Sequence, residues 1–237
     1  MHSVYKWLLF SFTVFFLASI EPIDEILKKH IKATGHKKIE KLGLIKQEGT
    51  LLLGGEIDIK FISYHYNGSV RMEYYYFDDK DPAVTVYTPD TAWKVPPWNL
   101  SSIEPLTKYE LENAKVWAQL SGILINNKVL NYELTIDESM NENSGEIVVT
   151  ANKSDMVTKI HTSLNSRNYL ISKTEMIEWT RGAEQKTVTN YYEYKSFKGL
   201  MLPTRIEKFT NGNKNDVLKI DEVEVGQKFK KKLFEKP

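Results

Sequence analysis

The residues of this chain whose types could do chemistry are five histidines, an acidic turn and one arginine set among aromatics. His2, His30, His36, His65 and His161 are scattered, and no two stand at the helical spacing that would hold a metal ion. There is no cysteine, which removes thiolate nucleophiles, thiolate metal sites and disulfides. The patterns H-E-x-x-H and G-x-S-x-G, the phosphate loop and the dinucleotide fingerprint do not occur. Asp78-Asp79-Lys80-Asp81 has the acidic density of a calcium loop without its ligand order, and reads as a polar turn ahead of Pro82. Asp58, Glu73, Glu133, Glu193 and Asp221 fall on the polar parity of strand-like stretches, where a solvated sheet face explains them better than paired acid–base work. These residues predict no catalysis, no cofactor and no metal. Arg71 stands in an aromatic-rich stretch and has two readings. It is either a rim residue lying over Tyr75 or pairing beside Glu73, or a polar handle at the mouth of a pocket.

The stretch that carries Arg71 runs over residues 44–95 and reads as a strand meander. Ile45, Leu51 and Leu53 share one parity, and Gly54-Gly55 supplies a tight turn. Ile57, Ile59 and Phe61 alternate with Asp58 and Lys60. Asn67-Gly68 is a strong hairpin signal, because both positions tolerate a left-handed backbone. Val70, Met72 and Tyr74 alternate with Arg71 and Glu73, and Val84, Val86 and Trp93 follow. Ile62, Tyr64 and Tyr66 break the alternation, which predicts a parity shift at a bulge.

Two helices are available to cover the apolar face. Residues 22–34 carry Asp24 and Glu25 early, lysines late, an apolar stripe of Ile23, Ile26, Leu27 and Ile31, and Gly35 as the stop. His30 falls on that stripe and is expected to be packed and hydrogen-bonded. Thr107-Lys108-Tyr109-Glu110 reads as a capping box, with Leu106 and Leu111 as its staple. One helix is expected to follow, with Leu111, Ala114, Trp117, Ala118 and Leu124 on its apolar stripe. A second block of strands runs to residue 225, giving ten or eleven in all. The lysine-rich end carries Phe229, Leu233 and Phe234 and is expected to dock as a strap.

The pattern predicts a mainly β (α+β) fold, a barrel or sandwich whose curved sheet offers an apolar concave face to the two helices. At 237 residues, with no linker-like tract, residues 21–237 read as a single domain. Residues 1–20 hold Lys6, no acid and a fourteen-residue apolar and hydroxyl run, which is the shape of a cleaved secretory signal. Without that segment basic and acidic residues balance at 31 each, which argues against nucleic acid as a partner. The helices could fill the concavity, or lid it and leave room for a hydrophobic ligand; core and lining residues look alike in sequence.

The order of these elements resembles the LolA-like family of periplasmic lipoprotein carriers, in the branch of outer-membrane lipoprotein-sorting proteins. The resemblance rests on Asp24-Glu25-Ile26-Leu27 with Ala33-Thr34-Gly35, on Gln47-Glu48-Gly49-Thr50, and on Asn67-Gly68-Ser69-Val70-Arg71-Met72-Glu73. It continues with Pro89-Asp90-Thr91-Ala92-Trp93, Gly199-Leu200-Met201-Leu202-Pro203, and Leu233-Phe234-Glu235-Lys236-Pro237. Thr91 replaces the usual glycine of the tryptophan motif. The resemblance implies a LolA-like incomplete antiparallel β-barrel with helices lidding its concave face, and a monomeric, non-enzymatic carrier in the periplasm whose half-barrel cavity receives lipoprotein acyl chains or another lipid. It also implies donor and acceptor proteins at the membranes. The expected lining is Ile57, Ile59, Phe61, Val70, Met72, Tyr74, Val84, Val86, Trp93, Leu111 and Trp117, with Arg71 at the polar rim. The alternative is a non-carrier scaffold or signalling module that uses the same fold to bind a protein partner.

Overall fold

A computed structural model describes residues 21–76, 80–137, 145–153, 159–180, 182–228 and 230–236. The signal-like segment, Asp78-Asp79 and Phe229 lie outside those residues. The chain begins with α1 (Ile23–Thr34), a 3₁₀ turn (His36–Lys41) and five strands: β1 (Leu44–Leu53), β2 (Ile57–Tyr66), β3 (Ser69–Tyr75), β4 (Ala83–Tyr87) and β5 (Ala92–Val95). Two helices follow, α2 (Lys108–Ala118) and α3 (Gly122–Asn126). Then come β6 (Glu133–Ile136), β7 (Glu146–Asn152), β8 (Lys159–Asn165), β9 (Ile171–Thr180), β10 (Ala183–Phe197), β11 (Leu200–Thr210) and β12 (Asn213–Gln227). The described residues thus form twelve strands, where ten or eleven were expected.

All twelve lie in one antiparallel sheet of order β5-β4-β3-β2-β1-β12-β11-β10-β9-β8-β7-β6. β1 pairs with β12 from Leu44–Gln227 to Leu53–Asp216, so the first and last strands are neighbours. The sheet is open, with β5 and β6 as its edges, and the chain crosses from one edge to the other through α2 and α3. This is the incomplete antiparallel barrel that the resemblance implies, and it decides between the barrel and the sandwich that the pattern left open.

Local chemistry explains the helices. α1 ends where Gly35 turns left-handed, at φ 71°. A side chain at Gly35 would run into the Gly199 carbonyl, so the close packing of α1 on the β10–β11 turn also needs glycine. Thr107 caps α2 in a complete capping box with Glu110. The single long helix expected here is instead two: Gln119 leaves helical geometry and Gly122 sits at φ 73°, which breaks the axis before α3.

Register divides the side chains between two faces, because residues opposite one another in a ladder share a face. Ile45, Gln47, Gly49, Leu51 and Leu53 of β1 stand opposite His65, Ser63, Phe61, Ile59 and Ile57 of β2, and all look toward the helices. That concave face is packed at the end where the helices lie. Ile26 and Leu124 meet Val149 and Leu164 there, and Ile39, Leu42 and Leu120 meet Ile45, Leu200, Leu202 and Val225. The convex face has its own apolar cluster. Val84, Val86, Trp93 and Val95 pack with Leu44 and with Leu233 and Phe234 of the C-terminal strap.

Two sequence expectations change as a result. β2 pairs with β1 in unbroken register through Ile62, Tyr64 and Tyr66, with no bulge. Those residues are apolar because they face the second cluster, where Tyr64 and Tyr66 pack. Val84, Val86 and Trp93 belong to that same convex face. Met72 stands opposite Thr85, so β4 turns Ala83, Thr85 and Tyr87 inward and Val84 and Val86 outward.

Candidate functional site

The middle of the concave face, beyond the helix-packed end, is the less tightly covered part of the inner wall. Its floor is Ile59 and Phe61, both fully buried. Around them Leu51, Met72, Tyr74, Met176, Tyr191, Ile206 and Leu218 remain half-exposed although the ladders turn them inward. Burial raises the Tyr74 phenol, and the neighbouring Tyr76 and Asp216 add to the effect. Burial also raises the Tyr191 phenol, whose oxygen lies 3.3 Å from the Thr174 hydroxyl. Two neutral phenols thus sit deep in an apolar bowl, each a polar point on an otherwise greasy wall.

The lid is α2. It buries only Ala114 and Ala118, so little apolar area holds it down. Ion pairs hold both sides instead. Glu110 accepts from Lys94 of the edge strand β5 at 2.6 Å, and Glu112 accepts from Lys153, just past β7, at 2.8 Å. Both lysine side chains are 12% exposed. Hydrogen bonds from Lys115 and Lys153 hold the Glu112 carboxyl below its usual range. Burial would raise Glu110, but hydrogen bonds from Lys94 and Thr107 outweigh it and lower that carboxyl too. Under the lid, at the junction of the 3₁₀ turn, β2 and the α2–α3 link, the free space is about 50 Å³. That space holds a few waters and is far below the roughly 300 Å³ of a small-molecule pocket, so side chains fill most of this end.

Buried polar groups here are structural. His30 is buried, and its Nδ1 contacts the Tyr169 carbonyl at 2.7 Å, as its place on the α1 stripe predicts. Burial lowers its pKa. His65 faces inward beside Ser63, its Nε2 3.2 Å from the hydroxyl, and burial pushes it down to about 4. Among the described residues no group of His, Asp and Glu is arranged to hold a metal ion.

The predicted lining residues therefore separate. Ile57, Ile59, Phe61, Val70, Met72 and Tyr74 share the concave face, with Ile57 at its open hairpin end. Val84, Val86, Trp93 and the rim residue Arg71 lie on the other face. Leu111 is half-buried on the lid, and Trp117 is 45% exposed. Leu51, Met176, Tyr191, Ile206 and Leu218 were not among the expected lining residues. Their alternation was visible within each strand, but their shared face depends on the β1–β12 pairing.

No family profile matches the chain, and no curated protein matches it by sequence. Solved structures do match. One is a LolA superfamily protein from Nitrosomonas europaea, 13% identical, with a TM-score of 0.62 over 92% of this chain and 99% of that one. The fold is LolA-like. A domain from Vibrio parahaemolyticus described as outer membrane lipoprotein-sorting is 12% identical, with a TM-score of 0.52 over 90% of this chain and 97% of that one. A DUF1329 family protein from Desulfovibrio piger is 10% identical, with a TM-score of 0.53 over 91% and 98%. At these identities the likeness speaks for the LolA-like architecture: an open antiparallel half-barrel with helices across its concave face.

Proposed function

We propose that this protein is a non-enzymatic carrier that takes up the acyl chains of lipoproteins, or of another lipid, on the concave face of its half-barrel. The supporting observation is the half-exposed apolar wall of Leu51, Met72, Tyr74, Met176, Ile206 and Leu218 around Ile59 and Phe61. Withdrawing ten methylenes from water contributes about 8 kcal/mol before the cost of association. The space at the α2–α3 link is small, so a chain long enough to reach that end would require the lid to lift. The apolar N-terminal run and the lipoprotein-sorting description of the Vibrio domain favour a periplasmic setting, with the carrier acting as a monomer between membrane-bound donor and acceptor proteins.

The test is binding of a palmitoylated peptide to the purified chain, followed by native mass spectrometry. A one-to-one complex is expected, and Met72→Glu with Leu218→Glu should abolish it while the folded spectrum persists. Absence of any complex, or equal binding by the double variant, refutes the reading.

A second reading has its own observation. The lid and its approach expose Trp98 (72%), Tyr109, Trp117 and Ile103. An outward aromatic surface suits a scaffold that binds a protein partner. Under that reading Trp98→Ala and Trp117→Ala abolish complex formation, and the concave-face variants do not.

A further inference from the structure

The convex face holds a second cavity, separated from the concave one by the thickness of the sheet. Its volume is about 420 Å³, and it lies between β3–β5 and the C-terminal strap. That size is within the range of small-molecule pockets, roughly 300–1,000 Å³. The apolar wall is Trp93, Val84 and Val95. Trp93 is 1% exposed, and its indole N–H has no acceptor among the described residues. That buried N–H stands beside the space without contacting solvent, which makes it a reporter of what enters there.

The remaining wall is cationic. Arg71 is held rigidly: Nε donates to Glu73 at 2.6 Å, Nη1 donates to the Leu233 carbonyl at 3.0 Å, and the guanidinium sits 6.0 Å from the Trp93 ring. The other N–H groups of its fork remain available. Lys232 and Lys236 also line the space, and neither has an ion-pair partner among the described residues. The one acid at the rim, Glu235, pairs with Lys231 at 3.6 Å. On a chain of formal charge +1, this is a local excess of positive charge against an apolar floor.

We infer that this cavity binds a small organic oxyanion, a carboxylate or phosphate ester carried on a compact apolar group. The anion meets Arg71, Lys232 and Lys236, and the apolar group rests on Trp93, Val84 and Val95. The strap supplies both lysines, so ligand and strap hold one another in place. The site shares no residue with the concave wall.

The experiment follows the Trp93 indole N–H in ¹⁵N-labelled full-length protein, its cross-peak identified by its loss in Trp93→Phe. Benzoate and phenyl phosphate test the two oxyanion chemistries, benzyl alcohol lacks the charge, and inorganic phosphate lacks the apolar group. At least one of the first two should shift the Trp93 peak saturably, with benzyl alcohol and inorganic phosphate at least about tenfold weaker. The double variant Lys232→Gln, Lys236→Gln, whose side chains are exposed, should keep the fold and weaken binding about tenfold. No shift with any probe, equal binding by either control, or an unaffected double variant overturns the proposal. Palmitoyl-peptide binding is read in parallel: its loss with the Trp93 shift intact removes the carrier reading and leaves this site standing.

Discussion

Neutralising the two acids of the lid should free α2 without unfolding the sheet. The perturbation is Glu110→Gln with Glu112→Gln, which keeps side-chain volume and removes charge. Each change removes the charged partner closest to a lysine that is only 12% exposed. A charge-assisted hydrogen bond lost at such a position costs about 1.5 kcal/mol. The two bonds act on opposite sides of one helix, so together they come to about 3 kcal/mol, or roughly a hundredfold in the lid-opening constant. The other hold on the lid is its packing, two buried alanines with Leu111 and Val116 half-buried beside them. The assay is hydrogen exchange read by mass spectrometry over residues 108–126. Exchange should rise there and not in β1, β2 or β12, and palmitoyl-peptide uptake should accelerate. Unchanged exchange in the lid, or a rise spread equally over the sheet, refutes the reasoning. The pH dependence has a definite sign. Both carboxyls are lowered in the folded state, while an unfolded glutamate titrates near ~4.3. Their contribution is therefore complete above the unfolded value and is lost as pH falls through the folded values, so the lid loosens in acid.

Other expectations are simpler. His65 titrates at about 4 when folded and near ~6.5 when unfolded, so its stabilisation is complete above the unfolded value and drains as pH falls. Urea unfolding should show about 2 kcal/mol less stability at pH 5 than at pH 7.5. His65→Gln should remove much of that difference, His30 retaining a share of the same sign; an equally steep fall in the variant would contradict the assignment. Phe234→Ala should cost about 3 kcal/mol and shift Trp93 emission to the red, because Phe234 is buried against Val84, Val86 and Trp93. An unchanged urea midpoint would mean that the strap does not cover the convex cluster in solution.

Much of the fold was legible locally. Asn67-Gly68 adopts positive φ at both positions, the Thr107–Glu110 capping box forms, and Gly35 stops α1 as its chemistry requires. Such signals act over a few residues, where steric and hydrogen-bond rules operate without reference to the rest of the chain. The site was less legible. Val84, Val86 and Trp93 looked like a continuation of the Ile57–Ile59–Phe61 wall, because apolar alternation marks a buried face without saying which one. The parity of Tyr64 and Tyr66 suggested a bulge only because a second buried face was not foreseen.

From the order of residues alone came an antiparallel meander, two covering helices, no catalytic constellation, and a likeness to lipid carriers. Each rests on side-chain type and short-range spacing. Tertiary structure decided the rest. The β1–β12 pairing joins Leu51 to Leu218 and, through β11, to Ile206 in one concave wall. The strap returns Phe234 to β3–β5, giving the sheet a second apolar face and Arg71 a cavity of its own. These contacts join residues well over 100 positions apart, Leu51 with Leu218 and Arg71 with Leu233 among them. No local rule encodes them, because a strand shows the same alternation whichever of its faces the chain later returns to cover.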